Sequence, residues 1–435
     1  MKHEKFHYTS LQNVRQTCET LNVSLPLAED CGGLFDKLEM NGMSFENRIV
    51  VQPMEGCDAA ENGAPGELTK RRYDRFARSG AGLIWVEAIA IQKQARAKPN
   101  QLRITRDNLD EFKRLTEQIR ETSIQVNGFA PKLVMQAAHS GRYSNPNGYP
   151  EQIIAYNNPL FEKDAPIDPA RIISDSALEQ LEEDFGLAAA MAEEAGFDGV
   201  DVKCCHRYLL SEFLSAYTRP GKYGGSFENR TRLLRNSVAS AQASTSRDFW
   251  VTCRMNVYDG FPYPYGFGVD EQGGLEPKLD EANRLIGILH REHGVNMIDV
   301  TIGNPYVTPH VNRPYDRGNY VPDEHPLEGV ARLMDCSRLI KESNPEVLVI
   351  GSGFSYLRQF SSHLAAGAVK EHWCDMAGFG RQFYAYPDFV QDLRKLGEMD
   401  PRKVCVSCGE CARLLRAGAC AGCVVRDSGL YRPAK

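Results

Sequence analysis

Short apolar runs alternate along this chain with longer stretches that are apolar on one side only. Eight runs stand out, at 48–52, 81–89, 132–137, 199–203, 249–255, 297–301, 347–351 and 376–379. Each is bounded by Gly, Pro or polar residues and reads as a strand buried on both faces. Helix-length segments separate them, and the clearest covers 177–195. There Ser176 and Glu179 fit a capping box. Leu181, Phe185, Ala188 and Ala192 repeat at helical spacing, and Gly196 fits the left-handed residue after a helix end. Alternating strand and helix predicts a parallel sheet. Eight strands predict an α/β fold closed into a (β/α)₈ TIM barrel. A doubly wound open sheet is the rival, but no GxGxxG follows the first strand.

Two segments break the alternation. Residues 1–40 form an N-terminal extension expected to pack outside the barrel, which spans 41–400. Segment 302–327, rich in Pro, Asn and Tyr, follows the sixth strand and is expected to cover an active site. Residues 401–435 form a cysteine-rich tail.

Composition narrows the function classes. With 435 residues, 42% of them hydrophobic, the chain has ample core for one large barrel. A net charge of −6 with no basic block argues against a nucleic-acid partner. The N-terminus lacks the apolar stretch of a signal peptide, and no apolar run reaches the ~20 residues that span a bilayer. A soluble, cytoplasmic protein with no membrane partner is expected. Whether it forms a homo-oligomer is left open.

The 13 cysteines are unevenly placed. Disulfides are unexpected in a reducing compartment. Five cysteines crowd the tail: Cys405, Cys408, Cys411, Cys420 and Cys423. Such a crowd points to a metal.

Barrels of this class carry their chemistry at the C-terminal ends of strands. Those ends hold Pro53-Met54-Glu55-Gly56, Glu87-Ala88, Gln136 through Arg142, Lys203 through Tyr208, Arg254, Gly351 through Gly353, and Gly378 through Arg381. The glycines of the last two ends suit a phosphate, because bare backbone can approach its oxygens while Arg381 adds charge. Taken singly, Gln136 fits a satisfied polar group, His139 a loop brace, Arg254 a structural ion pair and Tyr208 a packing residue. At the ends of successive strands they make a site.

These segments resemble the old yellow enzyme family. NRIVVQPM is similar to its first strand, GAGLIWVEA to its second, and QAAHSGRYS to its Q-x-x-H-x-G-R motif. The segment AGFDGVDVKCCHRYLLSEFLSAYTRPGKYGGSFENR resembles its long signature, and GFGRQFYAYPDF its closing strand and helix. The match runs over roughly 34–400, and is strongest to the branch of 2,4-dienoyl-CoA reductase and trimethylamine dehydrogenase.

The resemblance implies FMN. Pro53, Met54 and Ala88 would line its ring, Gln136 would bond the pyrimidine edge, and Arg254 would face N1 and O2. Gly353, Gly380 and Arg381 would hold the phosphate. Tyr208 matches the family's proton donor, and Lys203 with His206 matches the pair that binds the substrate's electron-withdrawing oxygen. Two positions depart from the family. Lys203 stands where His is usual, which favours an anionic substrate oxygen. Gly221 and Lys222 replace acidic residues. His310, in the long loop, is a further candidate contact.

The tail reads Cys405-x2-Cys408-x2-Cys411-x11-Cys423. The branch has a similar run with x3 for the second x2, so the resemblance implies a [4Fe–4S] cluster on Cys405, Cys408, Cys411 and Cys423. Structural zinc is the rival, and Cys420 is an alternative fourth ligand. Arg413 and Arg416 would offset cluster charge. The branch's larger members carry a C-terminal dinucleotide-binding module after this run. The chain as read stops short of one, so NAD(P)H docked over the flavin, or an electron-carrier protein, would supply electrons. The expected activity is reduction of an activated C=C bond of a small molecule, of enone or enoate type. The alternatives are an FMN/iron–sulfur dehydrogenase of an amine or C–H substrate, and a non-catalytic flavoprotein carrier.

Overall fold

The computed structural model describes residues 3–163 and 165–432. An antiparallel hairpin of β1 (Leu38–Met40) and β2 (Met43–Phe45) comes first. Eight strands follow: β3 (Ile49–Val51), β4 (Leu83–Ala90), β5 (Lys132–Ala138), β6 (Gly199–Val202), β7 (Trp250–Tyr258), β8 (Met297–Ile302), β9 (Leu348–Gly351) and β10 (Met376–Phe379). They close in the order β10-β3-β4-β5-β6-β7-β8-β9, every neighbour parallel. This is a TIM barrel. Its strands are buried almost throughout, because helices cover the outside while side chains fill the inside. That double burial makes their sequences read as unbroken apolar runs.

One layer of the interior settles which mouth can hold a ligand. Val50, Leu83, Trp85, Val134, Met297, Leu348, Ile350 and Met376 form a cluster with Leu38, Met43 and Phe45 of the hairpin. The hairpin therefore plugs the N-terminal mouth, and the C-terminal mouth is left for chemistry.

The helix read at 177–195 spans Asp175–Glu194. Its cap is Ser174, not Ser176: the Ser174 hydroxyl accepts from the Ala177 N–H at 3.2 Å. The shift has a local cause. Ile173 is still extended, its N–H donating to Ile154 O at 3.0 Å, so the helix can start straight after Ser174. Leu181, Phe185, Ala188 and Ala192 are buried as the stripe requires, and Gly196 has φ +83.

Segments at both ends pack against the barrel. The N-terminal segment carries a helix, Leu11–Leu21, capped by Ser10. The tail is tied to the β3 side: Ala421 N–H donates to Gly56 O at 2.7 Å, and Asp427 pairs with Arg71 at 2.7 Å and Arg75 at 3.0 Å. No helix among the described residues is long and apolar enough to cross a membrane.

Candidate active site

A cavity of about 460 Å³ opens at the C-terminal mouth. β3 runs out into Gln52-Pro53-Met54-Glu55, and all four residues line it. Their backbone is clamped. Tyr384 donates its hydroxyl to Met54 O at 3.0 Å and to Glu55 O at 2.9 Å. The Gly56 N–H donates to Glu87 Oε2 at 2.7 Å. Glu87 in turn accepts from Arg72 at 2.5 Å, and burial still pushes its carboxyl up to about 7.

Opposite lies the turn after β6. Lys203 keeps ladder geometry, its N–H donating to Ala137 O at 3.1 Å. His206 (φ +63) and Arg207 (φ +60) are then both left-handed, a conformation that costs a non-glycine roughly 1–2 kcal/mol. Arg207 holds the turn in place. Its buried guanidinium donates to Asp259 at 2.9 Å, Ser215 at 2.6 Å and Tyr156 at 3.0 Å. The turn aims His206 at the cavity and sets Tyr208 behind it. Burial and the nearby charges of Arg254, Lys203 and Arg313 hold His206 well below the usual histidine range, so it is neutral.

Tyr208 is reached through its neighbours. Its hydroxyl donates to Glu55 Oε1 at 3.0 Å and lies 3.2 Å from the Tyr306 hydroxyl. Lys203 Nζ donates to the same Glu55 oxygen at 3.3 Å and stands 3.7 Å from the centre of the Tyr208 ring. Tyr143 stacks on Tyr306 with centroids 3.8 Å apart. Burial, with Glu55 and Tyr306 adding to it, raises the Tyr208 phenol well above its ordinary value, so it keeps its proton.

Among the expected site residues, Pro53, Met54, Lys203, His206, Arg254, Gly353, Gly380 and Arg381 line one cavity. Ala88, Gln136 and Tyr208 lie outside the lining, Tyr208 reaching it only through Glu55 and Tyr306. Gln136 donates to Asp201 at 2.6 Å, beside the Trp85 indole N–H, which reaches the same oxygen at 2.9 Å. Arg254 pairs with buried Asp299 at 3.1 Å, and burial raises that carboxyl to about 7. His139 braces its loop: its Nδ1 accepts from the Gly141 N–H at 3.1 Å, and burial lowers its pKa to about 4. His310 bonds to Tyr320 and does not line the cavity. The loop it belongs to does reach the mouth, contributing Pro305, Tyr306, Asn312 and Arg313.

The sequence profile of the NADH:flavin oxidoreductase / NADH oxidase family matches residues 33–273, more than half of the chain. The chain belongs to this family. The NADPH dehydrogenase of Bacillus subtilis (strain 168) is 32% identical over 277 residues, covering 62% of this chain and 73% of that relative. Morphinone reductase in complex with tetrahydroNAD shares the fold at TM-score 0.63 and 21% identity, covering 85% of this chain and 92% of that one. A 2-naphthoyl-CoA reductase complex gives TM-score 0.74 at 17% identity, covering 93% of this chain and 58% of that one. The protein is thus an FMN-dependent NAD(P)H oxidoreductase of the old yellow enzyme type.

The cavity's residues fit the flavin of that family. Gln52 Oε1 and Arg381 Nη1 are buried without a hydrogen-bond partner among the described residues, so an acceptor and a donor are free for a ligand. Gly353 has φ +99, and a Cβ there would come within 2.8 Å of Leu333 Cδ1. A Cβ on Gly380 would lie 2.8 Å from Met54 Sδ. Bare backbone is required at both, next to Arg381.

Residues that the pattern of strand ends did not single out complete the site. Glu55 was in view only as part of a motif, and its role depends on contacts 148 and 153 residues away in sequence. Tyr306 and Arg313 come from a loop with no periodicity to read.

In the tail, Cys405, Cys408, Cys411 and Cys423 line one small cavity with Arg381 and Tyr384. Cys420 does not; the charges that act on it are those of Asp58 and Arg72. Among the described residues no group of three or more His, Cys, Asp or Glu is drawn together closely enough to hold a metal ion. The donor set has the right chemistry for a thiolate metal centre, but its geometry is not that of a closed one.

Proposed function

We propose that the protein reduces an activated C=C bond of a small enone- or enoate-type molecule. One observation carries this reading: a neutral imidazole, His206, and a lysine, Lys203, line the cavity with Pro53, Met54 and Arg381, and the protonated phenol of Tyr208 is joined to that lining through Glu55 and Tyr306. FMN, when bound, supplies the hydride that reaches the substrate's β-carbon. His206 donates a hydrogen bond to the carbonyl or carboxylate oxygen, where negative charge develops. Tyr208 gives its proton to the α-carbon, and the phenolate left behind regains a proton from solvent. Arg254 lends positive charge at the pyrimidine edge.

The structure changes the weight given to Lys203. Its charge is not free, because Glu55 accepts from it at 3.3 Å. A preference for anionic substrates therefore gains less from Lys203 than an unpaired lysine would give. Anaerobic mixing of NADPH-reduced holoprotein with enones and enoates tests the proposal. Reoxidation of the flavin by a member of that panel supports it. Reoxidation no faster than in buffer overturns it.

A second reading concerns the tail. Four thiols line a cavity that shares Arg381 with the flavin cavity. This favours a [4Fe–4S] cluster on Cys405, Cys408, Cys411 and Cys423, placed to exchange electrons with an external carrier protein. With it goes the division into a flavin-binding barrel, 41–400, and a metal-binding tail. Iron and zinc analysis of anaerobically purified protein decides between cluster and zinc.

A further inference from the structure

Seven lysines and arginines line the main cavity; apart from Lys98, which has no carboxylate partner among the described residues and is not a guanidinium, they fall into two groups. Arg142, Arg254 and Lys203 each have a carboxylate: Glu212 at 2.6 Å, Asp299 at 3.1 Å and Glu55 at 3.3 Å. Arg313, Arg381 and Arg416 have none, and their side chains make no hydrogen bond among the described residues, although all three line the cavity. They come from three separate parts of the chain. Arg381 follows Gly380 at the end of β10 and is nine-tenths buried. Arg313 stands in the long loop just after Asn312, whose amide donates to Ile302 O at 2.8 Å and so turns the loop back to the mouth. Arg416 ends the tail helix Glu410–Arg416, of which Ala412 and Leu415 also line the cavity. The three guanidiniums line one cavity, and Arg381 and Arg416 both lie close enough to act on the charge of Arg313, so they repel one another and call for an anion of more than one charge.

We propose that Arg313 and Arg416 join Arg381 in a three-guanidinium grip on the phosphate monoester of the flavin. Loop, tail and cofactor then close on one another. The proposal rests on the family's FMN requirement and not on any substrate. A phosphate monoester carries about −1.5 to −2 charges near neutral pH and offers three acceptor oxygens, one for each arginine. The bare backbone at Gly353 and Gly380 lies beside Arg381 at the same end. Loop and tail are already joined there, since the Asp316 N–H donates to Ser407 O at 3.3 Å. Binding of the phosphate thus holds loop and tail together at the mouth, and a flavin without phosphate leaves that grip unused.

Binding of FMN and of riboflavin to the flavin-stripped full chain tests this, by quenching of flavin fluorescence. In Arg313→Ala and in Arg416→Ala, FMN should bind roughly tenfold to hundredfold more weakly, the cost of a lost charge-assisted bond. Riboflavin should bind as it does to the unaltered protein. Arg416→Lys should recover part of the loss. Arg413→Ala is the control, because Arg413 pairs with Glu410 at 2.7 Å and stays off the cavity; it should change neither affinity. Inorganic phosphate should compete with FMN in the unaltered protein and much less in the two alanine variants. Equal weakening of both flavins would assign the arginines to shape alone and overturn the proposal. So would no change in either flavin, or an unaltered protein that does not distinguish them. No arm of the experiment involves a substrate, so a failed C=C reduction leaves the result readable.

Discussion

Tyr208 and Lys203 donate to one and the same oxygen of Glu55, at 3.0 Å and 3.3 Å. The carboxylate therefore restrains two groups at once: the phenol that would protonate substrate and the cation that would attract it. Glu55→Gln keeps the shape and removes the charge. Lys203 is then unopposed, and the preference for an anionic enoate over the matching neutral enone should rise by about tenfold in kcat/KM, one ion pair's worth of free energy. Lys203→Ala in that background should abolish the rise. An unchanged enoate-to-enone ratio in Glu55→Gln would show that the pair does not govern substrate charge.

Arg207 holds a strained turn rather than touching substrate. Arg207→Ala leaves Asp259 buried without its cation, a loss of about 3–5 kcal/mol for a broken buried pair. It also loosens the left-handed turn at His206 and Arg207 that positions Tyr208. The variant should melt markedly earlier, and any folded fraction should bind FMN yet reduce substrate poorly. Near-normal turnover by the folded fraction would mean that the turn holds itself.

Most of the barrel was legible because double burial writes each strand as a short apolar run. The ends of the eight runs differ from the strands by at most three residues, as at 255 against Tyr258. The hairpin β1–β2 was not legible: three-residue strands are too short for a periodicity, and their burial depends on the barrel floor they cover. Ser176 with Glu179 fits a capping box in the sequence, whereas the extended pairing of Ile173 with Ile154, which makes Ser174 the cap, is invisible there. At the site, Pro53, Met54, Lys203, His206 and Arg254 could be found from strand ends. Glu55 needed the contact itself, and Arg313 and Arg416 needed the folding back of a loop and a tail.

Asp299 gives a pH dependence of stability. Burial raises its carboxyl to about 7 in the folded protein, against roughly 3.9 for an exposed aspartate. Between about pH 4 and pH 7 the folded chain holds a proton that the unfolded chain has released. The contribution of this group to stability therefore falls as pH rises through that window and is constant above it. Asp299→Asn imitates the protonated form and lacks the titration. The melting temperature of Asp299→Asn minus that of the unaltered protein should grow from about pH 4 to about pH 7 and then level off. A difference flat over that range would contradict the burial of an ionising carboxyl there.

In the tail, anaerobically purified protein should contain about four irons per chain if a [4Fe–4S] cluster is bound. Cys423→Ser should lose that iron. Cys420→Ser should keep it, because Cys420 does not line the cavity that the other four thiols share. One zinc and no iron would make the tail a structural clasp.

The central claim is hydride delivery to the β-carbon with Tyr208 supplying the α-proton. A single turnover of NADPH-reduced holoprotein with an enone in D₂O tests it most directly, read by the position of deuterium in the product. The account predicts one solvent deuterium at the α-carbon and a step slowed about 10²–10⁴-fold in Tyr208→Phe while reduction by NADPH is unaffected. Absence of solvent deuterium from the α-carbon, or an unchanged rate in Tyr208→Phe, would contradict it.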